Sequence, residues 1–178
     1  DYPGIDYKLR VSDYTEIEEW IAAGTVDCGF VMLPLRTDAR LVVRALEEDE
    51  FLAVLPRDHE LASAEVFPVE RLAELPLLSP ASESDDELLE FLERWGVRQN
   101  PHFTSWDDRA ILSMVEHGLG VSILSELVLQ GRRDNVLRLP LDPPAYRQLG
   151  ILVRDRKDLR PAARRFITEA REIIDQIK

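Results

Sequence analysis

Apolar and polar residues alternate singly from Ile5 to Val11, with Ile5, Tyr7, Leu9 and Val11 set against Asp6, Lys8 and Arg10. A period of two predicts a strand. The period then lengthens. Thr15-Ile-Glu-Glu18 has capping-box spacing, the helix it opens puts Ile17, Trp20 and Ile21 on one face, and Gly24 stands where a helix stops. Val26 to Leu33 is an almost unbroken apolar run, which predicts a parallel strand buried on both faces. Strand, helix and strand in that order read as a right-handed crossover. Two further strands are expected, Leu41 to Leu46 and Phe51 to Leu55. The acidic Glu47-Glu-Asp-Glu50 between them reads as a solvated turn, and Pro56 to Ala62 breaks the pattern.

A second series begins at Leu75 to Pro80, a short predicted strand. Ser84-Asp-Asp-Glu87 repeats the capping-box spacing, and the helix after it carries Leu88, Leu92 and Trp95 on one stripe before Gly96. A short strand is expected from His102 to Trp106. A helix from about Asp107 to His117 buries Ala110, Ile111, Met114 and Val115; Gly118 ends it and Val121 to Leu124 is a strand. A helical piece follows from about Ser125 to Gln130. Val136 to Leu139 and Leu149 to Val153 are late strands split by Asp142-Pro-Pro144. Pro161 suits the first turn of a last helix, in which Phe166, Ile167, Ala170, Ile173, Ile174 and Ile177 keep a period near 3.6. Strands alternating with helices argue an α/β fold with parallel sheets.

Composition removes several functions. The 178 residues include 34 acidic and 22 basic side chains, a net charge of −12 that repels a phosphate backbone. No helix-turn-helix or zinc-finger pattern is present, so this chain alone is not expected to bind DNA. No apolar run approaches the ~20 residues of a membrane helix, and Asp-Tyr-Pro-Gly at the front lacks the features of a signal peptide. No membrane association is expected and the location is read as cytoplasmic. Cys28, the one cysteine, reads as a small core residue. His59, His102 and His117 lack metal-ligand spacing. No nucleophile elbow or phosphate-binding loop is found; Gly118-Leu-Gly120 follows a helix instead of opening one. No enzyme activity, metal or cofactor is therefore expected.

Four motifs, in order, carry a resemblance: Tyr2-Pro-Gly-Ile5; Gly24-Thr-Val-Asp-Cys-Gly-Phe30; Leu46 to Leu55 followed by Pro56-Arg-Asp-His-Glu-Leu-Ala62; and Gly118-Leu-Gly-Val-Ser-Ile-Leu-Ser125. Together they resemble the effector-binding domain of LysR-type transcriptional regulators. The resemblance implies a two-lobed fold like that of periplasmic binding proteins (type 2), with Rossmann-like lobes. Lobe one would be 1–58 plus 150–178, and lobe two 59–149. It also implies a strand and helix ahead of Tyr2, together with a linker helix and a winged helix-turn-helix. The chain is accordingly expected to be a fragment with an incomplete first lobe. A small-molecule effector, acidic or aromatic, would bind between the lobes and control DNA binding elsewhere in a parent protein, itself a homodimer or higher oligomer. The alternatives are a free-standing solute-binding protein of a transport system and a small enzyme on the same fold. Ser125 departs from the family, which often has proline there.

Ligands of open α/β sheets bind beyond the carboxyl ends of strands, where helix N-termini offer N–H groups to anions. Three segments qualify as effector-binding: Met32-Leu33-Pro34; Ser79-Pro80 with Ser82; and Thr104-Ser105-Trp106, which also matches a family effector-contact segment. Each serine and Thr104 could equally serve only as a helix cap. Trp106 would cover an apolar ligand face or plug the space between lobes. Arg109 could meet an acidic ligand, but a helix neighbour such as Asp108 or Ser105 is the preferred partner.

Overall fold

The computed structural model describes residues 2–35, 41–80, 86–97, 103–105, 107–155 and 159–176. The chain divides into two compact units, Asp1–Glu48 with Gln148–Lys178, and Asp49–Arg147.

In the first unit, helix α1 (Tyr14–Ala22) is capped by Asp13, whose carboxylate accepts the Glu16 N–H at 2.8 Å. The cap lies two residues before Thr15, because Asp13 already has the extended backbone an N-cap needs. Gly24, at φ +70°, follows the helix as expected. Strand β1 (Gly29–Leu33) comes next, and later strands β2 (Val42–Pro56) and β8 (Tyr146–Val153) each pass from one unit into the other. β1 runs antiparallel to β8, from Gly29 opposite Leu152 to Leu33 opposite Gln148. The expected parallel crossover is thus not formed by β1. Its sheet is nonetheless covered on both sides. Leu152 and Val31 pack with Ile21 of α1, while Ile151 and Val153 face Ile167 of helix α5 (Pro161–Gln176). Alternate residues of one strand therefore enter different cores. A continuous apolar run reports burial of both faces and is silent on strand direction.

The period-two segment at the front forms neither helix nor strand. Leu9 and Val11 are 90% and 86% exposed. No described strand pairs with it, and without a ladder partner the alternation has no sheet to join.

The acidic run is also not a turn. Leu41 to Leu46 and Phe51 to Leu55 belong to one strand, β2. In the second unit its residues split by parity. Phe51, Ala53 and Leu55 join Phe67, Leu92, Leu139 and Leu141, whereas Leu52 and Val54 face Ile111, Leu112, Val115 and Leu124. The ordered elements there are β3 (Phe67–Pro68), a 3-10 turn at Val69–Glu74, β4 (Leu78–Pro80), α2 (Asp86–Arg94), β5 (Phe103–Ser105), α3 (Asp108–Glu116), β6 (Ser122–Ser125), α4 (Glu126–Leu129) and β7 (Val136–Asp142). β2 is antiparallel to both β6 and β7; β3 is parallel to β7, and β4 is parallel to β5. Among the described residues no helix is long and apolar enough to cross a membrane.

Candidate functional site

The parallel pair β4–β5 places Ser79 opposite Thr104 and Pro80 opposite Ser105. Four of the nine sequence-predicted residues thus meet at the carboxyl ends of two adjacent strands. Leu78 anchors this end, because it is fully buried among Ile111, Leu112 and Val115 of α3. β5 leads within three residues into α3, whose N-cap is Asp107. Its carboxylate accepts the Arg109 N–H at 2.9 Å, and Ser105 Oγ accepts the Asp107 N–H at 3.1 Å. Ser105 therefore does have a turn-forming role, but on Asp107 and outside the helix proper. Thr104 lies within β5, and the N-cap position of α3 is held by Asp107. The helix capping is done by Asp107, which leaves the first turn of α3 close to the ends of both strands. Arg109 keeps an exposed side chain.

Met32, Leu33 and Pro34 lie in the first unit. Met32 is buried, Leu33 packs into the core with Val31 and Ile21, and Pro34 is exposed just past the end of β1. Ser82 and Trp106 fall outside the described residues, as does the capping residue Ser84. Cys28 is half-buried against Ile151 and Val153. Burial, and then the nearby Asp27 carboxylate, push its thiol pKa up, which suits a packed residue better than a reactive one. No group of three or more His, Cys, Asp or Glu able to hold a metal occurs among the described residues.

Sequence reasoning missed a buried polar cluster. Asp49, only 4% exposed, accepts the Arg147 Nε–H at 2.8 Å, and Arg147 Nη2 lies 2.7 Å from the same carboxylate. Arg147 Nη2 also donates to Ser125 Oγ at 2.6 Å, and the guanidinium carbon stands 5.8 Å from the centre of the Phe51 ring. The second Asp49 oxygen accepts the Leu127 N–H at 3.0 Å. Ser125 is the N-cap of α4 yet makes no capping bond of its own; Asp49 satisfies that turn instead. A serine where proline is common in the resembled family gives Arg147 an acceptor that proline lacks. Asp49 and Arg147 are 98 residues apart. Asp49 sits between Glu48 and Glu50 in a run of four acids, and nothing in that run singles it out.

Residues 1–174 match one family description, the LysR substrate binding domain. This chain is a LysR-type substrate-binding domain. Its relatives include the uncharacterized HTH-type transcriptional regulator YvbU of Bacillus subtilis, 28% identical over 97% of this chain and 59% of the relative. The HTH-type transcriptional activator CmpR of Synechocystis is 27% identical over 93% of this chain and 56% of the activator. The LysR-type domain therefore spans somewhat more than half the length of these curated relatives. Among solved structures, the CcmR regulatory domain of Synechocystis PCC6803 in complex with 2-PG superposes with a TM-score of 0.84. The identity is 21%, and the match covers 97% of this chain and 85% of that one. HinK, a LysR family transcriptional regulator from Pseudomonas aeruginosa, gives 0.85 at 21% identity, covering 99% of this chain and 63% of that one. These likenesses establish the periplasmic-binding-protein-like α/β fold. The relatives are named as transcriptional regulators, and the transport-protein alternative gains no support from them.

Proposed function

We propose that this domain senses a small anionic molecule for a cytoplasmic LysR-type regulator, holding it at the carboxyl ends of β4 and β5. The observation that carries this reading is the pairing of Ser79 with Thr104 and Pro80 with Ser105 beside the first turn of α3. The positive end of the α3 dipole, beside strand ends that carry hydroxyl-bearing residues, suits a carboxylate or phosphate. A neighbour of the same fold solved with 2-PG makes that compound a sensible first probe. Met32 and Pro34, at the end of β1, are a second group to be tested separately. Bound effector would favour one arrangement of the domain over another, and its differential affinity for the two would set the size of the response. A parent regulator acting as a homodimer or higher oligomer would transmit that response to DNA.

The test is thermal unfolding of the purified chain with 2-PG and a panel of small carboxylates. A ligand present at 100 times its Kd adds about 2.7 kcal/mol of stability, so a true effector raises Tm. The Ser79→Ala/Ser105→Ala double variant is expected to keep its ligand-free Tm within about 2 °C and to lose most of the rise. An equal rise in parent and double variant would remove the β4–β5 ends from the site.

A further inference from the structure

The second unit carries a separate pocket, of about 320 Å³, between α2 and the start of β8. Its apolar lining includes Phe51, Leu88, Phe91 and Tyr146, and Glu90 and Arg94 supply its charge. The sequence builds it simply. Leu88 is buried in the core and fixes α2, so that Phe91, three residues on, lies on the same side of the helix. The Phe51 N–H donates to the Ala145 carbonyl at 2.9 Å, which brings Tyr146 next to the Phe51 end of the pocket. Tyr146 is half exposed. None of these residues belongs to the β4–β5 site.

The charges decide what the pocket accepts. Glu90 and Arg94 are one helical turn apart, the spacing at which such residues commonly pair. Here they form no ion pair with each other. Arg94 instead turns its Nε–H back to the Glu90 carbonyl at 3.3 Å. Its terminal nitrogens and the Glu90 carboxylate have no polar partner among the described residues. An anion entering the pocket would meet Glu90, and a cation would meet Arg94. A zwitterion uses both, and the partly exposed rings of Phe91 and Tyr146 offer a surface to an aromatic body. A volume near the lower end of the range for ligand sites admits a molecule of amino-acid size and excludes a dinucleotide. We infer that this pocket is a second binding site, for a small aromatic amino acid or a zwitterion like it. The ammonium group lies toward Glu90 and the carboxylate toward Arg94.

The experiment uses the full chain with L-phenylalanine, phenylacetate and phenethylamine as probes, followed by calorimetry and saturation-transfer NMR. L-phenylalanine is expected to bind at least about fivefold more tightly than either one-charge analogue, a modest ratio for one extra exposed ionic contact. Glu90→Gln should abolish its advantage over phenylacetate, and Arg94→Gln its advantage over phenethylamine. Both residues sit on the helix surface, so circular dichroism should show both variants folded. The Ser79→Ala/Ser105→Ala variant should bind L-phenylalanine like the parent, which separates this pocket from the proposed effector site. The inference is overturned by absence of L-phenylalanine binding at millimolar concentrations, by equal affinity for the three probes, by unchanged affinity in both charge variants, or by loss of binding in the serine variant.

Discussion

At the scale of single residues, Asp49 shows how burial changes the meaning of a charge. Three of its neighbours in sequence are acidic, and one of them, Glu48, is exposed. Asp49 is turned inward, because the strand alternates and its side chain falls opposite Arg147 and the first turn of α4. Its carboxylate replaces water with three N–H contacts from two partners. Such a pair gains little over an apolar isostere, but loss of one partner strands the other charge in the interior. Arg147→Met is therefore expected to lower unfolding stability by about 3–5 kcal/mol, and Asp49→Asn by a comparable amount. The double variant should cost less than the sum of the two, because it leaves no charge without its partner. Urea denaturation of the parent, both single variants and the double checks this. Single variants within about 0.5 kcal/mol of the parent would mean that solvent already satisfies the pair.

At the scale of elements, Gly118-Leu-Gly120 does two different jobs with its two glycines. Gly118 adopts φ +74° at the end of α3 and has open space around it. Gly120 is held against the neighbouring chain: a Cβ there would lie 2.4 Å from the Pro76 carbonyl oxygen. The close approach is fixed by Val121 N–H donating to Pro76 O at 2.9 Å and Leu78 N–H donating to Val121 O at 2.8 Å. Gly120→Ala must push β4 away from β6, and overpacking of this kind costs about 1–3 kcal/mol. For a chain of this length that is a fall in Tm of roughly 2–12 °C. Gly4→Ala, where nothing lies within 4 Å, is the control and should change Tm by less than about 2 °C. Equal melting of the two variants would show that the β4–β6 contact yields freely. The helix stops were legible in the sequence because a glycine after an amphipathic stretch is a local signal, as at Gly24, Gly96 and Gly118. The meeting of Ser79 with Thr104 was legible in outline, since short strands that run into helices put their carboxyl ends where ligands bind. Strand direction was not legible: β1 and the Leu149–Val153 part of β8 are both apolar, and antiparallel pairing between helix-covered faces looks the same as parallel pairing. The Asp49–Arg147 pair was equally out of reach, because nothing local marks which member of an acidic run turns inward. The alternation at Ile5 to Val11 misled for the opposite reason: the pattern is present, but no described strand accepts it.

At the scale of the whole molecule, charge separates sensing from DNA contact. The chain holds 34 acidic and 22 basic side chains, and duplex DNA carries one negative charge per ~1.7 Å of axis. Association would need a basic face strong enough to release condensed counterions against a net repulsion of like charges. Many of the arginines that could form such a face are already engaged. Arg147 is buried with Asp49, Arg138 donates to the carbonyls of Leu129 and Arg132, and Arg165 pairs with Glu169. The curated relatives are named HTH-type and are considerably longer than the span they share with this chain, which agrees with DNA contact being made by another part of such proteins. The expected result is that this chain, at about 10 µM and about 50 mM salt, leaves the anisotropy of a labelled duplex unchanged. Low salt is the demanding condition, because protein–phosphate attraction is strongest there and falls steeply as salt rises. Saturable binding that weakens with added salt would show a basic surface that the net charge conceals, and would move part of the DNA contact into the sensing domain. Binding that salt leaves untouched would instead point to contacts with the bases, because phosphate contacts are the salt-sensitive ones. With neither, the proposed effector response would have to reach DNA through another part of a parent regulator, and the stability gained on ligand binding would set the upper limit of that influence.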